Sequence, residues 1–265
     1  RVAAAVASGV DVSMDLMCAT PAQSEESWER TLTGAVGLGV CHVSVYPLQI
    51  EEGTVLARRC ADNPCEWNDP EVQADRMTRA KAALEASGFS RYEVASYSRP
   101  GRECRHNKAY WTGLPYLGLG TGASSMLNLE GYLRLSEACP QLPAAPVDAR
   151  RVRLTIETPR RELAQDPRLC ALSFSLEFLS APQAVAEDLM LGARLTEGIG
   201  PALVSRARAL LGPALDDTLA DLLDRVLLVE RGDRLAPTER GWLLGNELYG
   251  ALWGLAPGEV VAASC

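Results

Sequence analysis

No apolar run in the 265 residues approaches the ~18 that a membrane-crossing helix needs, and the first residues lack the charged-then-apolar order of a secretory signal. Cationic surface is scarce too. Lys and Arg number 26 against 34 Asp and Glu, a formal charge of −8 with a pI near 5.0. A general nucleic-acid binder with this balance would have to overcome repulsion from the phosphates, so no nucleic-acid partner is expected. The shortage deepens along the chain: residues 169–265 hold seven Arg, no Lys and thirteen Asp and Glu. Internal repeats and low-complexity runs are absent. Cys60 and Cys65 have the spacing of half a metal site, but no second pair lies near them in sequence.

The remainder is ordinary for a globular chain. Hydrophobic residues make up 47% and charged residues 23%, which excludes a disordered, collagenous or coiled-coil polymer. The length allows one large domain, or a medium one plus a small one. Eight scattered cysteines in a chain too long to need stapling predict reduced thiols and a cytoplasmic setting. The chain opens on Arg1 with a helical apolar pattern already running from Val2 to Val6, so it is expected to begin within a fold.

The first part alternates strand and helix signals, with strands expected at 10–17, 42–48 and 92–97. Ser24 can cap a helix whose apolar face carries Trp28, Leu32, Ala35 and Val36. Asp69 and Pro70 can start another that runs through Met77, Ala80 and Leu84 to Gly88. This order predicts parallel βαβ units. Central parallel strands normally read as apolar on both faces, yet here one face is repeatedly polar: Asp11, Ser13 and Asp15, then His42, Ser44 and Tyr46, then Glu93, Ala95 and Tyr97. Such a face is either solvated and hydrogen-bonded for structural reasons, or it is the inner wall of a barrel or half-barrel around a polar ligand, with Asp15 and Glu93 as acceptors. A buried carboxylate has to be paired in either case.

Five blocks in a fixed order carry a resemblance: DVSMDLMCATPAQ at 11–23, HVSVYPLQIEEGT at 42–54, YEVASY at 92–97, RHNKAYW at 105–111 and YLGLGTGASS at 116–125. Together they resemble the radical S-adenosylmethionine (SAM) family of oxygen-independent coproporphyrinogen oxidase-like proteins. The stretch from Leu48 to Thr54 is similar to its HemW-type heme-chaperone branch. EDLMLGARLTEGI at 187–199 resembles the entry to that family's C-terminal domain. The resemblance implies an α/β fold, with the C-terminal half of a partial radical SAM (TIM-like) barrel followed by a small winged-helix-like α+β domain. The boundaries expected are 1–138 for the barrel part and its extension, 139–168 for a linker carrying Pro140, Pro143, Pro146, Pro159 and Pro167, and 169–265 for the last domain.

The family's CxxxCxxC loop, whose thiolates hold a [4Fe-4S] cluster open to SAM, does not occur in this sequence, and neither does the glycine-rich stretch that meets the SAM amino group. An N-terminally truncated member is therefore expected, with no metal ligands of its own. By resemblance, Asp15 is the barrel carboxylate facing SAM, and Leu48 and Gln49 lie beside the adenine. Ala19, Thr20 and Pro21 stand where Gly-Leu-Pro is usual, and the lost glycine marks a backbone position needing either close approach or positive φ, which is expected to weaken cofactor binding. His106 is the candidate heme-iron ligand, with a structural role alongside Asn107, Tyr110 and Trp111 as the alternative. Gly118, Gly120 and Gly122 read as close backbone packing, since the third glycine of a dinucleotide fingerprint would fall at Ser125. Ser124 stands where the family often has His. In the last domain, Leu243, Leu244, Leu248 and Leu252 are expected in the core, and the acidic balance favours a docking or lid module over a DNA reader.

The function implied is heme chaperoning. The intact protein would bind heme, SAM and a [4Fe-4S] cluster and pass heme to respiratory proteins, while this segment alone would be inactive. An oxygen-independent coproporphyrinogen III dehydrogenase and a cluster-free interaction protein are the alternatives. Peripheral membrane association and a homodimer are compatible with all three.

Overall fold

The computed structural model describes residues 1–61, 69–256, 258 and 260–264. The chain divides into two compact units, 1–108 and 109–265.

In the first unit, helix α1 (Val2–Ala7) buries none of its side chains and leads to strand β1 (Ser13–Cys18). Ser24 caps α2 (Glu25–Gly37) by accepting the Ser27 N–H at 3.1 Å. Strand β2 (His42–Pro47) and helix α3 (Val55–Ala61) follow. Asp69 then caps α4 (Pro70–Ala86) by accepting the Glu71 N–H at 2.8 Å. Strands β3 (Ser90–Arg91) and β4 (Ser96–Ser98) complete a sheet of order β1-β2-β4-β3, ahead of helix α5 (Arg105–Trp111).

One face of this sheet and two helices make the core. Leu16, Cys18, Val43, Val45 and Tyr97 are buried, as are Trp28 and Leu32 from α2 and Met77, Ala80 and Leu84 from α4. The Trp28 indole N–H donates to the Arg76 carbonyl at 3.1 Å and ties the two helices together. Fully burying side chains of this size contributes roughly 1.5–3 kcal/mol each.

The predicted βα order holds as far as β2, which pairs with β1 in parallel register, Asp15 opposite Ser44. The third strand is a correction. Residues 92–97 are not one parallel strand: Tyr92 N–H donates to the Ser96 carbonyl at 3.2 Å, the chain reverses over 92–95, and β4 runs antiparallel to β2. The reversal breaks the period of two, so Ser96 rather than Tyr97 shares the polar face, and Tyr97 turns into the core.

In the second unit, β5 (Ser124–Asn128), β6 (Ala149–Ile156), β7 (Phe174–Ser180) and β10 (Val261–Ser264) form an antiparallel sheet of order β10-β7-β6-β5. Helix α6 (Leu129–Ala138) covers the face made by Val152, Leu154, Ile156, Phe174, Leu176 and Phe178, with the Tyr132 ring edge-on to Phe178 at 5.3 Å. After a short helix α7 (Arg160–Gln165), the capping box of Ser180 and Gln183 starts α8 (Ala181–Gly192). Then come α9 (Pro201–Leu211), α10 (Pro213–Asp224), the hairpin β8 (Leu228–Arg231) and β9 (Arg234–Pro237), α11 (Glu239–Leu243) and α12 (Gly245–Trp253).

The stretch expected as a linker at 139–168 is therefore corrected. It contains the inner strand β6, Cys139 and Leu142 are buried, and the compact units divide between 108 and 109. Pro140, Pro143 and Pro146 punctuate the connection between α6 and β6, where no ladder N–H is required. Of the four leucines expected in the core, Leu248 and Leu252 are fully buried, whereas Leu243 and Leu244 are 39% and 36% exposed. Of the three glycines expected to pack closely, Gly118 does, since a Cβ there would meet the Ser124 carbonyl oxygen at 2.3 Å; Gly120 and Gly122 do not, having open space beside them and φ of 107° and 74° instead.

Candidate functional site

The polar face of the first unit's sheet is a cleft of ≈640 Å³ floored by Ser13, Asp15, His42, Ser44 and Tyr46 and walled by residues 101–105 and 107. Parallel register puts these side chains side by side, with Ser13 opposite His42 and Asp15 opposite Ser44. The floor holds a chain of short contacts. Ser13 Oγ lies 2.8 Å from His42 Nδ1, His42 Nε2 lies 2.9 Å from the Tyr92 hydroxyl, and Tyr92 Oη accepts the Cys104 N–H at 3.3 Å. Beside it, Ser96 Oγ donates to Ser44 Oγ at 3.2 Å. Asp11 and Arg102 form an ion pair on the wall.

Burial sets the protonation of this floor. It pushes the His42 imidazole below its ordinary 6.5, against the nearby Glu93 and Asp15 charges. It raises the Tyr92 phenol to about 12. Tyr46 is raised by burial as well, opposed by a hydrogen bond with Ser44 and reinforced by Asp15 and Glu93. The floor therefore presents a neutral imidazole and neutral phenols around the exposed carboxylate of Asp15. Such a set can hydrogen-bond hydroxyl, amino and ring-nitrogen groups of a polar guest.

Asp15, Ser44 and Tyr46, expected together, are brought together. Glu93 is 2% exposed and lies in the turn behind the cleft rather than on its lining. Leu48 and Gln49 follow directly on β2 and part company: Leu48 is 7% exposed in the core, while Gln49 is exposed. The Leu48 N–H donates to the Cys18 carbonyl at 2.9 Å and holds the ends of β1 and β2 together. His106 is exposed on α5 and does not line the cleft, although its neighbours Arg105 and Asn107 do. Trp111, from the same block, stacks on Arg194 at 5.2 Å within the second unit, with Tyr110 edge-on to Tyr116 at 4.5 Å. Ala19 adopts φ of 55°, the left-handed conformation in which glycine is free of penalty, and its N–H is held by Gln23 Oε1 at 2.8 Å.

Sequence reasoning missed Tyr92, which backs the floor through His42, because continuous alternation put it on the opposite side. It also missed the wall, for which the charged run Arg102, Glu103, Arg105 was the available signal. A second network escaped it too: Arg151 reaches Glu187 at 2.6 Å and Asp188 at 2.5 Å, all three largely buried. Among the described residues, no three His, Cys, Asp or Glu side chains are grouped to hold a metal ion. Cys60 is buried on α3, and Cys65 lies outside the described residues.

Comparison with solved structures bears on the fold. The fold is similar to that of Escherichia coli coproporphyrinogen III oxidase (HemN), described as a radical SAM enzyme, with a TM-score of 0.65 at 16% identity over 92% of this chain and 55% of that one. No family model matches the chain. Its sequence relatives are more particular. A Mycobacterium tuberculosis protein named heme chaperone HemW is 34% identical over 251 residues, 94% of this chain and 57% of that protein. A Bacillus subtilis protein of the same name is 27% identical over 92% of this chain and 59% of that protein. The Bos taurus protein named radical S-adenosyl methionine domain-containing protein 1, mitochondrial, is 39% identical over 112 residues, 42% of this chain and 25% of its own length. The chain is similar in sequence to proteins named heme chaperone HemW, and it spans a little over half the length of the two bacterial ones.

Proposed function

We propose that this chain is part of a HemW-type heme chaperone, with the first unit supplying a wall of its SAM-binding chamber. The observation that carries this is the alignment of Ser13, Asp15, His42, Ser44 and Tyr46 in one cleft, in a chain whose relatives bear the HemW name. On this reading the first unit is the closing part of a TIM-like half-barrel. The order α9, α10, β8–β9, α11 is a winged-helix-like module that docks or covers rather than reads DNA.

These residues fit a nucleoside-like guest. Asp15 accepts hydrogen bonds from its hydroxyl or amino groups, Ser13 and Ser44 supply hydroxyl partners, and Gln49 offers an amide at the strand end. SAM, when bound, would supply the adenosyl group to this wall. Leu48, being buried, would back the strand and not touch an adenine. His106, exposed on α5, would offer an imidazole nitrogen to heme iron carried as cargo. A [4Fe-4S] cluster does not fit the described residues, which group no three suitable ligands. Heme-receiving respiratory proteins in the cytoplasm, at the membrane surface or through a dimer, complete the proposal.

The likeness to HemN favours one second reading, a coproporphyrinogen III dehydrogenase. Heme titration of a polypeptide of the relatives' length carrying this sequence separates the two. Equimolar heme uptake and handover to an apo-haemoprotein, weakened by His106→Ala, supports the chaperone. Turnover of coproporphyrinogen would replace it with the enzyme.

A further inference from the structure

The cleft floor contains a device that its chaperone reading does not use. Ser13 is exposed in the cleft, whereas His42 behind it is 5% exposed and Tyr92 behind that is 8% exposed. A neutral imidazole carries one proton for two nitrogens. The nitrogen with the proton donates, and the other accepts. Which of the two faces Ser13 decides what Ser13 can do. If Nδ1 accepts, the serine proton is spent on histidine and only oxygen lone pairs face the cleft. If Nδ1 donates, the serine O–H is free for a guest.

Tyr92 settles this choice. Its oxygen already accepts the Cys104 N–H at 3.3 Å, and its own proton needs an acceptor. His42 Nε2 lies 2.9 Å away. The competing oxygen nearby is that of Ser96, whose own proton goes to Ser44. An imidazole nitrogen is a far better base than a serine hydroxyl, and a phenol is a more acidic donor than a neutral imidazole N–H, so the phenol proton goes to Nε2 and the imidazole proton goes to Nδ1.

We propose that His42 is a positioning residue whose proton is held on Nδ1 by Tyr92, so that Ser13 presents its O–H as a donor into the cleft beside the acceptor carboxylate of Asp15. Ser13 and Asp15 are alternate residues of β1 on the same side, roughly 7 Å apart. The wall then selects a guest that brings a hydrogen-bond acceptor to one place and a donor to the other, a polarity that the reverse tautomer would reject. This rests on the cleft being a guest-binding wall, but the proton assignment can be read without any guest.

The chain has two histidines, which makes the test direct. Long-range nitrogen–proton spectra of the imidazoles at pH 7, assigned with His106→Gln, read which nitrogen of His42 is protonated. The expected result is a pyrrole-type Nδ1 and a pyridine-type Nε2. With Tyr92→Phe, Nε2 loses its donor, and the Nε2–H form rises to a measurable share. If Tyr92→Phe does not fold, Ser13→Ala serves instead: it shifts the Nδ1 resonance and leaves Nε2 pyridine-type. A pyrrole-type Nε2, or a doubly protonated ring at pH 7, overturns the proposal. Added adenosine that leaves every cleft resonance unmoved counts against the SAM-wall reading and leaves the tautomer result standing.

Discussion

Arg151 on β6 lies between Glu187 and Asp188 on α8, at 2.6 and 2.5 Å, and these contacts fasten the helix to the sheet of the second unit. The side chains are only 11%, 7% and 16% exposed, so solvent screens them little. Removing Arg151 leaves Glu187 with Arg153 at 3.1 Å and Asp188 with Arg206 at 2.5 Å as their remaining cations, so the loss falls below that of a fully stranded buried charge, at about 1–3 kcal/mol. Arg151→Met should lower the unfolding free energy by about that much in urea denaturation, whereas Arg30→Met, in the exposed pair with Glu26, should change it by less than about 1 kcal/mol.

The strained turn after β1 is a place to gain stability. Ala19 holds φ of 55°, where an L-residue pays about 1–2 kcal/mol. Ala19→Gly removes that penalty and adds unfolded-state freedom, for a net gain of up to about 1 kcal/mol. A fall in the denaturation midpoint would show that the lost methyl group and the added unfolded-state freedom outweigh the φ penalty, since the N–H held by Gln23 is kept in the variant.

Trp28 offers a third measurement. Its indole N–H donates to the Arg76 carbonyl from a fully buried position. Trp28→Phe removes the indole donor to that carbonyl, which keeps the N–H of its own helix, and opens space, so a loss of about 2–4 kcal/mol is expected in calorimetric unfolding.

The pH dependence follows from His42. Burial lowers its pKa in the folded chain, so below the ordinary 6.5 the unfolded chain binds a proton that the folded one does not. Its contribution to stability is complete above pH 6.5 and declines as the pH falls from there towards the folded value. His42→Asn should therefore be less stable than the native chain at pH 7.5 and should have a flatter stability profile between pH 7 and 5.5. An equal slope in both proteins would contradict a neutral buried imidazole.

The sequence made one half of the cleft legible and hid the other. Along β1 and β2 the side-chain alternation is local, so Ser13, Asp15, His42, Ser44 and Tyr46 could be assigned to one face before any coordinates. At 92–97 the same rule failed, because a hydrogen bond from Tyr92 to Ser96 reverses the chain without a glycine or proline to mark it. The caps at Ser24 and Asp69 were readable, since their side chains act within three residues. Strand β6 was overlooked beneath its flanking prolines, although Val152, Leu154 and Ile156 alternate with Arg151, Arg153 and Thr155.

On the proposed reading, this sheet face holds an adenosyl guest through Asp15. Chemical-shift mapping of the chain titrated with S-adenosylmethionine tests it most directly. Perturbations centred on Asp15, Ser44 and Tyr46 are expected, with affinity reduced about tenfold or more by Asp15→Asn, the loss of one charge-assisted hydrogen bond of about 1.5–3 kcal/mol. Perturbations confined to other surfaces, or an Asp15→Asn affinity equal to that of the native chain, would contradict it.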